Sequence, residues 1–108
     1  MLQRYFSIGE GETRDVIQKI RPVLEGFYRN LFPAQFLDGD MMGVIVGKIR
    51  AAGPSHTLYP IADDLDEINI HCCRYHHAEN PNAANEAIDD TELQGYVRRT
   101  LSLTGSLL

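Results

Sequence analysis

The chain has 108 residues, 44% of them hydrophobic, and a formal net charge of −5. This length predicts one domain with a modest core, and the acidic balance argues against a plain electrostatic nucleic-acid binder, which is normally basic. No apolar run approaches the roughly 20 residues that a membrane span needs, and no apolar signal segment begins the sequence. We therefore expect no membrane contact and a cytoplasmic location.

The first helix is predicted at residues 14–31, after a flexible lead-in over 1–12, with Thr13 as its N-cap. Pro22 lies inside this helix and predicts either a kink or a helix that restarts with Pro22 in its first turn. Six apolar residues fall within one arc about 100° wide on the helical wheel: Ile17, Ile20, Leu24, Phe27, Tyr28 and Leu31.

The stretch 41–52 reads MMGVIVGKIRAA and is ambiguous. Its apolar residues recur at helical spacing, but the central Val-Ile-Val between two glycines is also compatible with a short strand. We favour a helix here. Asp38 or Asp40, in the preceding turn, is expected to cap it.

Two more helices are predicted downstream. Ile61, Leu65, Ile68, Cys72 and Tyr75 form a third apolar stripe, and acidic residues load its first turns, where the helix dipole favours them. Asp89 and Glu92 have capping-box spacing, before a fourth stripe of Leu93, Tyr96, Val97, Thr100 and Leu101. Four helices joined by short polar loops predict an all-α, four-helix bundle-like domain over 13–104, with a frayed tail over 105–108.

The strongest candidate for chemistry combines Arg21 and Glu25 with His76 and His77. An arginine can stabilise a phosphate in its transition state, and a histidine can move a proton near neutral pH. The first pair lies at the edge of the apolar arc, where solvent still reaches it. The alternative is a surface i,i+4 ion pair worth about 0.3–0.5 kcal/mol, with both histidines completing a helix C-terminus.

The cysteines and histidines also permit a weaker, metal-based interpretation. Cys72/His76 and Cys73/His77 have i,i+4 spacing, which can begin a zinc site. A structural zinc site needs four ligands, only His56 in a distant loop remains as a further histidine, and Cys72 belongs to the apolar stripe. We therefore expect no metal and no cofactor, and two reduced thiols, as in a reducing compartment.

Four phrases of the sequence support a resemblance when taken in order. They are RPVLEGFYRNLFPAQF (21–36), DDLDEIN (63–69), RYHHAENPNA (74–83) and IDDTELQGYVRRTL (88–101). The chain resembles the C-terminal segment of large bacterial AAA-family ATPases with an ABC-like, coiled-coil-bearing body. That group includes the anticodon nucleases associated with restriction systems and phage defence.

The resemblance implies a HEPN-like helical ribonuclease domain. Arg21 and Glu25 match the Arg-x-x-x-Glu pair of the anticodon nucleases, and His76 or His77 would supply their histidine. It implies metal-independent cleavage of RNA, plausibly tRNA, by a homodimer controlled by an ATPase in the same or another chain. The usual HEPN spacing of Arg, four to six residues and His is absent. The chain has no G-x-x-x-x-G-K-[ST] loop either, so ATP binding by that route is excluded.

A second hypothesis is a non-catalytic C-terminal interaction or dimerisation module of such an ATPase. The acidic charge favours it, because RNA binding needs local positive charge. Under this hypothesis Arg21 and the histidines lie apart, and an apolar patch is exposed for a partner.

Overall fold

The computed structural model describes Leu2, residues 13–75 and residues 87–105, and residues 13–75 and 87–105 contain four α-helices. We number them α1 (Thr13–Leu31), α2 (Met42–Ala52), α3 (Ala62–Cys73) and α4 (Asp90–Leu103), with a short 3-10 helix at Tyr59–Ile61. No strand occurs in these parts of the chain. The all-α, bundle-like prediction is confirmed, and so is the choice of helix over strand for 41–52.

Helix α1 is the centre of the bundle and packs against the other three helices. It runs through Pro22 without a break, so the predicted restart at that residue is not observed. Four residues of its apolar stripe are buried as expected, but Phe27 is only partly buried and Leu31 is 55% exposed. The hydroxyl of Tyr28 donates a hydrogen bond of 2.7 Å to the carbonyl of Leu103, which fixes the end of α4 on α1.

One hydrophobic core joins all four helices. Its largest fully buried side chains include Ile17, Ile20 and Leu24 from α1, Met42, Ile45 and Ile49 from α2, Leu65 and Ile68 from α3, and Leu93 from α4. Leu2, the described residue of the predicted lead-in, is also buried in this core. The other residues of 1–12, and 106–108 of the predicted tail, lie outside the described residues.

The prediction that Asp38 or Asp40 caps α2 is wrong. Met41 is the N-cap residue and makes no side-chain capping bond. Asp40 instead accepts a hydrogen bond from the Leu37 N–H and pairs with the Lys48 ammonium at 2.6 Å. Gly39 in the same turn has φ +88°, a left-handed conformation that glycine adopts readily.

The start of α4 agrees with its sequence pattern. The Asp89 carboxylate accepts a hydrogen bond of 3.0 Å from the Glu92 N–H and so caps the helix. In the described residues, no helix is both long enough and apolar enough to cross a membrane.

Candidate functional site

Arg21 and Glu25 form a buried ion pair rather than one at the solvent boundary. The Arg21 Nε lies 3.9 Å from the Glu25 Oε2, and the two side chains are only 7% and 10% exposed. The expectation that solvent reaches this pair is therefore wrong for the described structure. Burial changes its energetics, because removing one member of a buried pair takes a partner away from a charge that is shielded from water.

Glu25 has a second partner that ties α1 to α2. Its Oε2 accepts a hydrogen bond of 2.7 Å from the backbone N–H of Met42, the first residue of α2. The first N–H groups of a helix have no partner within the helix, and the helix dipole favours an anion there. Glu25 thus supplies from α1 the capping group that the turn before α2 does not supply.

Arg21 reaches in the opposite direction, to the end of α3. Its Nη1 lies 3.8 Å from the Cys73 Sγ and donates to it. Cys73 is the last residue of α3 and is partly exposed, whereas its neighbour Cys72 is fully buried. Arg21 and Glu25 together therefore connect α1, α2 and α3 through polar contacts.

His76 and His77 lie outside the described residues, and they follow Cys73 by three and four positions in the sequence. The structure brings Arg21 and Glu25 together and places Arg21 against Cys73.

The surroundings of the Arg21–Glu25 pair suppress thiolate chemistry at Cys72. Burial raises the pKa of the Cys72 thiol to about 12, and the nearby Arg21 charge opposes this shift only in part. Cys72 is therefore a protonated, apolar core residue near neutral pH. Among the described residues, no group of three or more His, Cys, Asp and Glu side chains is arranged to hold a metal ion.

A second polar cluster, which the sequence analysis did not single out, joins α3 to α4. We call it the α3–α4 seam. Arg99 bridges Asp64 and Glu67 at 2.9 and 3.1 Å, and Glu92 pairs with both His71 at 3.0 Å and Arg74 at 3.7 Å. Its members are Asp64, Glu67, His71 and Arg74 on the α3 side, and Glu92, Tyr96 and Arg99 on α4.

His71 is the buried centre of this seam. Its imidazole stacks on the Tyr96 ring, with centroids 3.9 Å apart and planes within 10°. Burial lowers the pKa of His71, although the Glu92 carboxylate opposes the shift. A neutral imidazole beside a carboxylate is expected to carry its proton on Nδ1, which leaves Nε2 as an acceptor. Nε2 is buried without a hydrogen-bond partner among the described residues.

The seam borders an open cleft of about 250 Å³, lined by Glu67, Ile70, His71, Arg74, Glu92 and Tyr96. Its signal in the sequence is a pair of polar stripes at helical spacing, Asp64, Glu67, His71 and Arg74 against Glu92, Tyr96 and Arg99. Spacing alone could have revealed each stripe. It could not have shown that the two stripes face each other.

No protein-family model matches the chain, and neither a curated protein nor a solved structure matches it. The chain is characterised by its fold and by these two polar clusters. They define a small all-α domain with a buried Arg–Glu pair between three helices and a polar seam between α3 and α4.

Proposed function

We propose that this chain is a metal-independent, endoribonuclease-like effector domain that acts with a bacterial ABC-like ATPase in the same or a separate chain. The supporting observation is the position of the Arg21 guanidinium. It is paired with Glu25 and lies against Cys73, which precedes His76 and His77 by three and four positions in the sequence. The order and types of residues are those that the resemblance implies.

In the proposed reaction, His76 or His77 removes the proton from an RNA 2′-hydroxyl or protonates the leaving 5′-oxygen. The 2′-oxygen attacks the adjacent phosphorus while the 5′-oxygen leaves, which yields a 2′,3′-cyclic phosphate and a 5′-hydroxyl. Arg21 stabilises the charge that develops on the phosphoryl oxygens. Glu25 holds the guanidinium in place, since it is already fixed by the Met42 N–H.

Burial of the pair favours a second candidate function. As whole residues, Arg21 and Glu25 are only 6% and 8% exposed. A phosphate therefore reaches the Arg21 guanidinium only if the residues packed around it move. The Glu25 carboxylate also accepts the Met42 N–H at the start of α2. Both features suit a non-catalytic interaction module in which the pair fixes the packing of α1, α2 and α3. The two functions differ in whether Arg21 is needed for activity or only for stability.

The deciding experiment is RNA cleavage by the whole chain in EDTA, with tRNA as substrate and the product ends identified. Arg21→Lys keeps the positive charge but loses the planar guanidinium, so it is the variant least expected to unfold the site. Arg98→Lys is the matched control, because it makes the same change at an exposed arginine on α4. His76→Ala and His77→Ala complete the set.

The ribonuclease proposal expects cyclic phosphate ends from the wild-type chain and from Arg98→Lys. It expects at least a tenfold loss in Arg21→Lys and in one histidine variant, with unchanged helical circular dichroism. Cleavage that survives Arg21→Lys, or no cleavage by the wild type with or without metal, contradicts it. Either result leaves the non-catalytic module as the better assignment.

A further inference from the structure

The α3–α4 seam joins its two helices mainly through side chains. The backbones of α3 and α4 approach each other less closely than those of α1 and α4. Helix α4 itself is held in the core by the buried Leu93 and Val97, and on α1 by the hydrogen bond from the Tyr28 hydroxyl to the Leu103 carbonyl. The side chains of the seam can therefore rearrange while α4 stays in place.

The seam accommodates a neutral His71 ring but has no acceptor for a second ring proton. The imidazole is 4% exposed, and its Nδ1 lies 3.0 Å from the Glu92 carboxylate. Its Nε2 is buried and has no hydrogen-bond partner among the described residues. A proton on Nε2 therefore creates a buried, positively charged N–H with nothing to donate to. Such a group is costly, because it loses its hydration and gains no bond in return.

The charges around His71 compensate an imidazolium only in part. Glu92 faces the ring from α4, but the same carboxylate lies 3.7 Å from the guanidinium of Arg74, whose charge opposes that of an imidazolium. Tyr75 and Tyr96 face the ring with their aromatic rings. In the described structure, α1 forms neither an ion pair nor a hydrogen bond with it. Burial therefore prevails and lowers the pKa of His71.

The cleft beside the seam offers a protonated ring what its buried position lacks. This open cleft of about 250 Å³ has His71, Glu67 and Ile70 of α3 among its lining residues. Glu67 lies one turn before His71, and its carboxylate is 61% exposed. A ring that turns into the cleft can donate its Nε2–H to water or to this carboxylate.

We propose that the α3–α4 seam is a pH-sensitive switch, in which a proton taken from solvent at Nε2 moves the His71 imidazole from its stack on Tyr96 into the cleft. We call the stacked arrangement closed and the other open. Opening uncovers one face of the Tyr96 ring and adds a positive charge to the cleft. The exposed aromatic surface of the cleft and its charge thus both depend on pH.

The direction of the switch follows from proton binding. The closed seam binds fewer protons than the open seam, so acid favours the open one. Because burial lowers the pKa of His71 in the closed seam, the midpoint of opening is expected below the ordinary histidine value of about 6.5. The inference does not rest on RNA cleavage, since neither Arg21 nor Glu25 belongs to the seam.

NMR of the whole chain during a titration from neutral pH to about pH 5 tests the switch. As the His71 imidazole gains its proton, the Tyr96 ring signals should shift with the same midpoint. The nuclear Overhauser contacts between the two rings should disappear in parallel. The methyl signals of Ile45 and Ile49, in the part of the core that α2 contributes, should stay unchanged.

Three results of this titration overturn the proposal. Overhauser contacts that persist beside a protonated His71 show that the ring does not move. A ring that stays neutral throughout, with its contacts to Tyr96 intact, shows that the seam does not respond to pH in this range. Signals of Ile45 and Ile49 that change at the same midpoint show that acid unfolds the whole domain instead of opening the seam.

His71→Gln tests whether this histidine is the group that responds, because glutamine has no proton to gain. The shift of the Tyr96 signals should be absent in this variant. His56→Gln is the matched control, since the His56 imidazole bonds to Gln35 and Leu58 and is not part of the seam. It should keep the shift and its midpoint. A shift that survives His71→Gln, or is lost in His56→Gln, assigns the transition to another group and contradicts the proposal.

His71→Phe is a second variant without a titratable group, and it keeps a ring that can stack on Tyr96. Overhauser contacts between positions 71 and 96 should persist in it throughout the titration. If these contacts are lost at the midpoint of the wild type, acid opens the seam without His71 and the proposal is wrong.

Discussion

The Arg21–Glu25 pair and the α3–α4 seam both bury a titratable side chain between helices, but they complete its bonding differently. Glu25 accepts the Met42 N–H and pairs with Arg21, so its charge is compensated inside the protein. His71 has a carboxylate on one nitrogen, whereas its Nε2 has no hydrogen-bond partner among the described residues. The first arrangement stabilises charges, and the second favours a neutral ring.

Solvent exposure of the partners explains part of this difference. Both members of the α1 pair are buried, so neither can be solvated if the other is removed. The Glu92 carboxylate beside His71 is 43% exposed and also faces Arg74, so water and the Arg74 guanidinium both screen its charge. We therefore expect the Arg21–Glu25 pair to contribute more to the free energy of unfolding than the α3–α4 seam. The contribution of the seam should depend more on pH and salt.

The largest expected effect is that of Glu25→Ala. It leaves the Arg21 charge buried without its carboxylate and removes the acceptor of the Met42 N–H. Removing one partner of a buried pair typically costs about 3–5 kcal/mol. Urea denaturation of the wild type and the variant measures this loss.

Glu25→Gln is the control, since it keeps an acceptor for the N–H and should lose clearly less. A loss below about 1 kcal/mol in Glu25→Ala, the size of an exposed pair, would show that solvent reaches the pair after all. The contrast between the two regions would then disappear.

The sequence predicted the fold well because helical periodicity reports directly on burial. The stripes of α1 and α4, and the capping of α4 by Asp89, depend on residues close to each other in the sequence, and most of them lie as predicted, although Leu31 is exposed. The same reasoning correctly favoured a helix at 41–52, where apolar residues recur at helical spacing.

Prediction from the sequence failed where the position of a side chain depends on contacts with another helix. It assigned the cap of α2 to a nearby aspartate, whereas the capping carboxylate belongs to Glu25, seventeen positions away. It placed Arg21 and Glu25 at the solvent boundary, because a helical wheel shows only the residues of α1. The end of α3, which lies against Arg21, is not visible in such a pattern. The His71–Glu92 pair joins two separate stripes and was missed for the same reason.

The second prediction concerns the pH dependence of stability through His71. Burial holds its pKa below the ordinary value of about 6.5. The unfolded chain therefore binds more protons than the folded chain as the pH falls below that value, and acid favours unfolding. The stabilising contribution of the neutral ring is fully present above about pH 6.5 and declines below it.

The measurement is the free energy of unfolding at pH 7.5 and 5.5 for the wild type and His71→Gln, which cannot gain the proton. The variant should lose less stability on acidification than the wild type. Imidazole NMR of His71 provides an independent check. An equal loss in both proteins, or an NMR titration above the ordinary range, contradicts the prediction.

A smaller effect is expected at the start of α4, which carries one side of the seam. Asp89→Ala removes the carboxylate that accepts the Glu92 N–H. Loss of an N-cap of this kind costs about 1 kcal/mol. Asp89→Asn retains an acceptor and should be close to the wild type in urea denaturation. If Asp89→Asn is as unstable as Asp89→Ala, the cap does not depend on a hydrogen bond.

The smallest expected effect is at the outer end of the seam, in Arg99→Ala. Arg99 is 35% exposed and pairs with Asp64 and Glu67, which are 52% and 61% exposed, and its guanidinium lies 5.2 Å from the centre of the Tyr96 ring. Exposed pairs contribute about 0.2–1 kcal/mol and are screened by salt. The loss in Arg99→Ala should thus be at most about 1 kcal/mol at low ionic strength and should shrink in molar salt.

Arg98→Ala, an exposed neighbour outside the seam, should change little at either salt concentration. A loss that persists in molar salt would show that packing on Tyr96, rather than charge, holds this end of the seam.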